Sequence, residues 1–191
     1  MNAARHDRVD TFRFIHINKS GGSSIEKALH LPIRHRTVLQ YKEELGAIRW
    51  DKLFKFSVVR NPWDKVVSHY HYRVATNQTG MGVNPMSFAD WVRAAYRDRN
   101  PAFYDKPMMF MAQTEWLVDE TGSIDVDYVA RFENLSADFR RACELLHRPV
   151  VELPHEKKSV RRDFRFYYDS ETMQIVADVF RKDLENFHYS F

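Results

Sequence analysis

Three times along this chain, a short apolar run leads through a tight turn into a stretch with helical periodicity. The first unit reads FRFIHINKSGGSSIEKAL over residues 12–29. Apolar residues occupy both odd and even positions at 12–17, which is typical of a strand buried on both faces. Ser23 and Ser24 are favourable caps for the helix that follows. The unit therefore predicts a strand, a glycine turn and a helix in that order.

Two further units repeat this order. LFKFSVVRNPWDKVVSHYHYRVA has a strand at 53–59, and Asn61 before a proline is typical of a helix N-cap. IDVDYVARFENLSADFRRACELLH predicts a strand that ends near Phe132 and a helix over about 134–147. Strands that alternate with helices favour an α/β protein, here a P-loop-like three-layer sandwich whose central, mostly parallel sheet is flanked by helices.

The rest of the chain adds helices and one ambiguous segment. Ser87 is a favourable cap for a short helix, whereas PMMFMAQTEWLVD is apolar without a clear period. Near the C-terminus, apolar residues at helical spacing predict one continuous helix that extends to Phe187 and is capped by Asp169 or Ser170.

Length and composition limit the class of protein. A chain of 191 residues with 44% hydrophobic and 29% charged residues suits one folded domain, so we expect a single domain over 1–191. No segment approaches the about 20 apolar residues that span a bilayer, and the first residues lack a signal-peptide core, so the expected location is the cytoplasm. Cys143 lies in an apolar helical context that predicts a buried, structural thiol.

The first turn has the composition of an anion site. A turn before a helix presents unpaired backbone N–H groups, glycines allow close approach, and Lys19 adds a positive charge. An ordinary glycine turn with a solvated lysine is the alternative. In the common nucleotide loop, G-x-x-x-x-G-K-[ST], the lysine follows the second glycine, whereas Lys19 precedes Gly21 and Gly22. This spacing argues against a P-loop kinase, ATPase or GTPase.

The second turn suggests a separate phosphate site. Arg60 ends the second strand, and Ser68 follows Asn61 by seven residues, which is about two helical turns. Arginine binds phosphate through two charge-assisted hydrogen bonds, and a serine hydroxyl adds another donor. The alternative is an ion pair between Arg60 and Asp64 beside an ordinary helical serine.

The two turns together resemble a known family. HINKSGGSSI resembles the H-I-P-K-T-G-G-T-S-[IL] signature of carbohydrate-type (family 2-like) sulfotransferases, and FSVVRNPWDKVVSHY resembles their second signature, F-x-x-V-R-[ND]-P-[WY]-D-R-[LV]-V-S-x-Y. VARFENLSADF and the closing YYDSETMQIVADVFRKDLENFHYSF extend the resemblance to most of the chain outside 77–107. Asn18 replaces the usual proline and Ser20 the usual threonine, which leaves the lysine and the backbone donors in place.

The resemblance implies a donor, a product and an acceptor. The donor is 3′-phosphoadenosine 5′-phosphosulfate (PAPS), the product is 3′-phosphoadenosine 5′-phosphate (PAP), and no metal is needed. The expected acceptor is a hydroxyl group of a carbohydrate or glycolipid. Lys19 would stabilise the negative charge that develops on the leaving oxygen. The 3′-phosphate would bind Arg60 and Ser68. The residues implied for the 5′-phosphosulfate are Asn18, Lys19, Ser20, Gly21, Gly22, Ser23 and Ser24.

The resemblance also places a general base between the two turns. We expect His35 to accept the proton of the acceptor hydroxyl, because related enzymes use a histidine or glutamate from this region. His30, Glu43 and Glu44 are the alternatives. The alternative interpretation of His35 is a solvent-exposed histidine of an arginine-rich loop with no catalytic role.

A basic and aromatic loop at 156–166 has two interpretations. On its own, the pattern would suit a non-catalytic nucleic-acid- or nucleotide-binding module. The resemblance implies instead that the loop closes over the adenosine and 3′-phosphate of the donor, with contacts from Lys158, Ser159 and Arg161, so no nucleic acid is expected as a partner. Acceptor specificity is expected in the region 81–111 and near His35, and a homodimer could supply the remaining acceptor contacts.

Overall fold

A parallel sheet of three strands lies at the centre of the described chain. The computed structural model describes residues 11–153 and 161–191. Its strands are β1 (Phe12–Ile15), β2 (Phe54–Val59) and β3 (Tyr128–Arg131), with β2 in the middle. Phe14 pairs with Phe56, which in turn pairs with Tyr128. This order brings the carboxyl ends of β1 and β2 next to each other.

Helices connect and cover the strands. Those of the described residues are α1 (Gly22–Ala28), α2 (Val38–Leu45), α3 (Ala47–Trp50), α4 (Pro62–Ala75), α5 (Phe88–Val92), α6 (Gln113–Leu117), α7 (Leu135–Leu145), α8 (Ser170–Val179) and α9 (Arg181–Phe187). Short 3-10 turns lie at Gln78–Gly80, Pro107–Phe110, Phe132–Asn134 and Phe164–Tyr167, and a π turn lies at Arg93–Arg97. Within the described ranges, no helix is long and apolar enough to cross a membrane.

Both faces of the sheet are buried, as the mixed apolar pattern of the strands predicts. Phe14 and Phe56 pack on one face with residues of α1 and α7. Ile15 and Val59 pack on the other face with residues of α2, α6 and α9. Each such side chain contributes about 1.5–3 kcal/mol when it is fully buried. The α/β fold with a parallel sheet flanked by helices is thereby confirmed.

A separate apolar cluster surrounds α4. Trp63 and Val67 of this helix pack with Trp91 of α5 and Val176 of α8. Asn61 caps α4 by accepting the amide of Trp63 at 3.1 Å, as predicted. Helix α4 therefore lies between this cluster and the ends of the strands. The side of α4 opposite the cluster faces the turns that follow β1 and β2.

The first unit departs from its prediction at two points. Gly21, with a φ of 80°, occupies the N-cap position of α1, and no side chain caps the helix. Ser23 and Ser24 lie inside the first turn, so their predicted capping role was wrong. Strand β1 ends at Ile15, two residues before the predicted end, and the carbonyl of His16 contacts the side chain of His35 instead.

The predicted C-terminal helix is in fact two helices. The chain breaks at Phe180, with α8 before it and α9 after it. Val176 and Phe180 are buried in the α4 cluster, whereas Phe187 is buried against the sheet. One straight helix could not place side chains in both clusters. The helical spacing of apolar residues alone does not reveal such a break. The Asp169 cap of α8 is confirmed, since its carboxylate accepts the amide of Thr172 at 2.7 Å.

Candidate active site

Lys19 stands at the centre of the turn after β1. Its backbone φ is 64°, a left-handed conformation that is uncommon for a lysine. Its Nζ atom lies 4.1 Å from the centre of the Tyr72 ring on α4. Burial, together with the nearby charges of Arg60 and Arg161, lowers the pKa of Lys19 to about 8. The ammonium is therefore still predominantly charged at pH 7 but is poorly solvated.

The glycines of this turn meet different requirements. Gly21 supplies the positive φ, and a side chain there would press against Leu135 and Phe132. Gly22 has an ordinary φ, but a Cβ atom there would lie 2.1 Å from Cδ2 of His16. The His16 ring thus packs directly against the backbone of the turn, and glycine is required at 22 for space.

His35 lies next to the same ring. Its Nδ1 is 3.0 Å from the carbonyl oxygen of His16, and the two imidazole centres are 4.3 Å apart. A carbonyl can only accept, so Nδ1 carries the proton and Nε2 of the neutral ring has a free lone pair. Burial lowers the pKa of His35. The structure therefore favours a neutral imidazole suited to accept a proton at Nε2.

The other candidate bases are placed less favourably. His30 is exposed, with a φ of 54°, just beyond the end of α1. Glu44 lies 3.2 Å from Arg34 and 3.4 Å from Arg36. Glu44 is thus engaged in two ion pairs, and Glu43 is exposed on α2.

Arg60 connects the second turn to the first. It is only 6% exposed and stacks over the Phe132 ring, with Cζ 3.8 Å from the ring centre. Its Nη1 donates to the carbonyl of Lys19 at 2.8 Å, and its Nε donates to Asp64 at 2.7 Å. The predicted Arg60 to Asp64 pair is thus present, but it is buried and forms part of a link between the two turns.

One side of α4 carries groups that face these turns. Asp64, Ser68 and Tyr72 follow each other at one-turn spacing, which places them on the same side of the helix. The carboxylate of Asp64 also pairs with Arg161. Ser68 is half-buried on α4, one turn after Asp64 and one turn before Tyr72. The structure therefore brings Lys19, Arg60, Ser68 and Arg161 to a common region.

The remaining residues predicted to bind the donor differ in burial and in their hydrogen-bond partners. Asn18 is buried, and its Nδ2 donates to the carbonyl of Met109 at 3.0 Å. The hydroxyl of Ser20 lies 3.4 Å from Oε1 of Gln113. Ser23 is exposed and Ser24 is buried. Lys158 and Ser159 lie outside the described residues.

Sequence reasoning missed three partners that support the second turn. Glu133 accepts the amide of Asn61 at 2.7 Å and the hydroxyl of Tyr189 at 3.0 Å. Gln113 is fully buried and bonds the backbone of Arg60. The Nδ2 of Asn61 also donates to the carbonyl of Ser190 at 2.9 Å. For Gln113, the sequence did offer a signal: it is the one side-chain amide in the apolar run PMMFMAQTEWLVD, and a polar group that is buried among apolar residues needs hydrogen-bond partners.

Comparison with known proteins identifies the chain. The model of the sulfotransferase family matches residues 4–190. The chain belongs to the sulfotransferase family. Among solved structures, this sulfotransferase is similar to a crystal structure of a sulfotransferase from Alicyclobacillus acidocaldarius, with a TM-score of 0.48 and 16% identity over 98% of this chain and 100% of that chain. No curated protein matches it.

Membership confirms the resemblance of the two signatures. A sulfotransferase requires a sulfuryl donor and an acceptor substrate, and the cationic turns lie where the fold places ligands, beyond the carboxyl ends of parallel strands. Over residues 11–153 and 161–191, no group of three or more histidine, cysteine, aspartate or glutamate side chains could hold a metal ion.

Proposed function

We propose that this sulfotransferase transfers the sulfuryl group of PAPS to a hydroxyl group of a carbohydrate or glycolipid. One observation carries the proposal: the turns after β1 and β2 are joined by the 2.8 Å hydrogen bond from Arg60 to the carbonyl of Lys19. The two turns thus form one site with cationic groups on both sides. PAPS has anionic groups at both ends of its ribose, which suits such a site.

The charges near the turns support the choice of donor. Lys19, Arg60 and Arg161 lie together, and the carboxylates that act on Arg60 within the described chain are those of Asp64 and Glu133. The excess of positive charge favours an anionic ligand. We assign the 5′-phosphosulfate to the Lys19 turn, because no side chain caps the N-terminus of α1 there. We assign the 3′-phosphate to Arg60, Ser68 and Arg161.

The proposed chemistry is an in-line transfer. The acceptor oxygen forms a bond to sulfur while the bond from sulfur to the bridging oxygen of the 5′-phosphate breaks. His35 takes the acceptor proton at Nε2, and the charged Lys19 stabilises the negative charge on the departing phosphate. The products are a sulfate ester and PAP.

A transfer assay with a binding control tests this proposal. Labelled PAPS is incubated with sugars, glycolipids and small alcohols, with the wild type, Lys19→Ala and the exposed-lysine control Lys52→Ala. We expect transfer by the wild type and the control, and a loss of about 10²–10³-fold in Lys19→Ala. PAP at 100 times its dissociation constant should raise the wild-type stability by about 2.7 kcal/mol. Stabilisation by ATP but not by PAP would overturn the proposal.

A further inference from the structure

Gln113 pairs with the backbone of Arg60 in a single orientation. Its Nε2 donates to the carbonyl of Arg60 at 2.8 Å, and its Oε1 accepts the amide of Arg60 at 2.8 Å. A backbone N–H can only donate and a carbonyl can only accept, so the side-chain amide cannot be reversed. The side chain is fully buried, hence no water competes for these bonds.

Asp183 of α9 holds Gln113 from the other side. Its carboxylate accepts the backbone amide of Gln113 at 2.8 Å and the side-chain Nε2 at 3.2 Å. It also accepts the amide and the hydroxyl of Thr114, at 2.7 and 2.8 Å. Both hydrogens of the Gln113 amide are therefore used, and the start of α6 is fixed to α9.

The chain of contacts ends at Lys19. Arg60, whose backbone Gln113 holds, donates from Nη1 to the Lys19 carbonyl at 2.8 Å. A residue in the left-handed region persists only where its surroundings enforce it. The Arg60 guanidinium is one such restraint, and its position depends on a backbone that Gln113 fixes.

We propose that Gln113, held by Asp183, is a positioning residue that sets the place of Lys19 through Arg60. The inference rests on the proposed function, in which Lys19 stabilises the leaving oxygen. A displacement of about 1 Å at a catalytic group costs up to about 100-fold in rate. Loss of the Gln113 pairing should therefore appear mainly in kcat.

Three variants and one control test the inference. Gln113→Leu removes the hydrogen bonds at similar volume, Gln113→Glu removes one donor, and Gln113→Asn shortens the side chain while it keeps the amide. Gln174→Leu changes an exposed glutamine of α8. Assays are run below the melting temperature of each variant, on protein shown to be folded by circular dichroism. We expect kcat to fall by about 10- to 100-fold in the Gln113 variants and to stay unchanged in the control.

Two further readouts separate positioning from stability. The KM for PAPS should rise less than kcat falls, whereas a purely structural role would lower the melting temperature and leave kcat per folded molecule unchanged. For Gln113→Glu, the ratio of its kcat to that of the wild type should increase as the pH falls, because a protonated carboxyl both donates and accepts. The same ratio for Gln113→Leu should be flat.

The outcomes distinguish this inference from the proposed function. A wild type that neither transfers sulfate nor binds PAP overturns the proposed function. A wild type that does both, with folded Gln113 variants of unchanged kcat, overturns the inference alone. If Gln113→Leu does not fold, Gln113→Asn and the pH ratio of Gln113→Glu decide the question.

Discussion

The ammonium of Lys19 lies over the ring of Tyr72, one helical turn beyond Ser68, with Nζ 4.1 Å from the ring centre. An aromatic face attracts a cation by about 0.5–2 kcal/mol. Unlike a carboxylate, it does so without adding a negative charge that would oppose an anionic donor. Tyr72 therefore holds the side chain of Lys19 within the site while its charge remains available.

Replacement of Tyr72 should reveal this role. We expect Tyr72→Leu to lower kcat by about 3- to 30-fold, which corresponds to the loss of a cation–π contact of that strength. Tyr72→Phe is the matched control, because it keeps the ring and removes only the hydroxyl, and its kcat should stay close to that of the wild type. Steady-state kinetics with PAPS measure both. Equal losses in the two variants would assign the effect to the hydroxyl.

The identity of the base is tested by substitution at His35, His30 and Glu44. His35→Gln should lower kcat by about 10²–10⁴-fold, the usual contribution of a general base. His30→Gln and Glu44→Gln should have small effects, since His30 is exposed and Glu44 is paired with Arg34 and Arg36. The three variants are compared at saturating PAPS. A large loss in Glu44→Gln with an active His35→Gln would move the assignment to the glutamate.

The pH dependence of kcat/KM should have two limbs. His35 acts as a base only when neutral, and burial lowers its pKa, so the acid limb should lie below the usual pKa of histidine, 6.5. Lys19 acts only when charged, and its pKa is lowered to about 8, so activity should decline as the pH rises through about 8. Lys19→Arg should move the alkaline limb upward, because an arginine stays charged. An unchanged alkaline limb would exclude Lys19 as its origin.

A buried lysine outside the two turns should affect stability. Lys65 of α4 is 1% exposed, and within the described chain its Nζ makes no hydrogen bond. Burial lowers its pKa to about 8, from 10.5. Below about pH 8, the folded protein bears the cost of a desolvated charge; between pH 8 and 10.5 it loses the proton before the unfolded chain does, so stability rises with pH.

Comparison with Lys65→Met isolates this effect. The free energy of unfolding of the wild type, relative to that of the variant, should rise by up to about 3 kcal/mol between pH 7 and 10.5, at 1.36 kcal/mol for each pKa unit. Urea unfolding at several pH values measures it. Lys182→Met, at an exposed lysine of α9, should show no such trend. A difference that is constant with pH would mean that burial does not lower the pKa of Lys65 below its value in the unfolded chain.

Local patterns predicted the three strand–turn–helix units well, because each depends on residues close in sequence. The proximity of Lys19 and Arg60 was also predictable, since each follows a strand of a parallel sheet. The break at Phe180 was not, because it depends on which clusters the two helices bury. Tertiary packing determines the position of such a helix break, and the helical periodicity of the sequence does not indicate it.

The supports of the site were the least predictable part. Gln113 lies 53 residues after Arg60 and 70 before Asp183, so no local spacing links them. The catalytic and donor-binding roles of all the predicted site residues stay predictions, as do the PAPS donor, the carbohydrate acceptor, the cytoplasmic location, the single domain and the homodimer. These depend on ligands or on surfaces that sequence patterns do not encode.

The contacts of Asn61 with Ser190, and of Glu133 with Tyr189, have a consequence for biosynthesis. Synthesis proceeds from the N-terminus, and domains of a growing chain fold as they emerge. The turn at Arg60 is made early, but it gains these partners and Asp183 only after residues 183–190 have left the ribosome. A nascent chain can thus form its strands and first helices while the turn at Arg60 still lacks these partners, and the candidate active site gains its supports only once residues 183–190 are available.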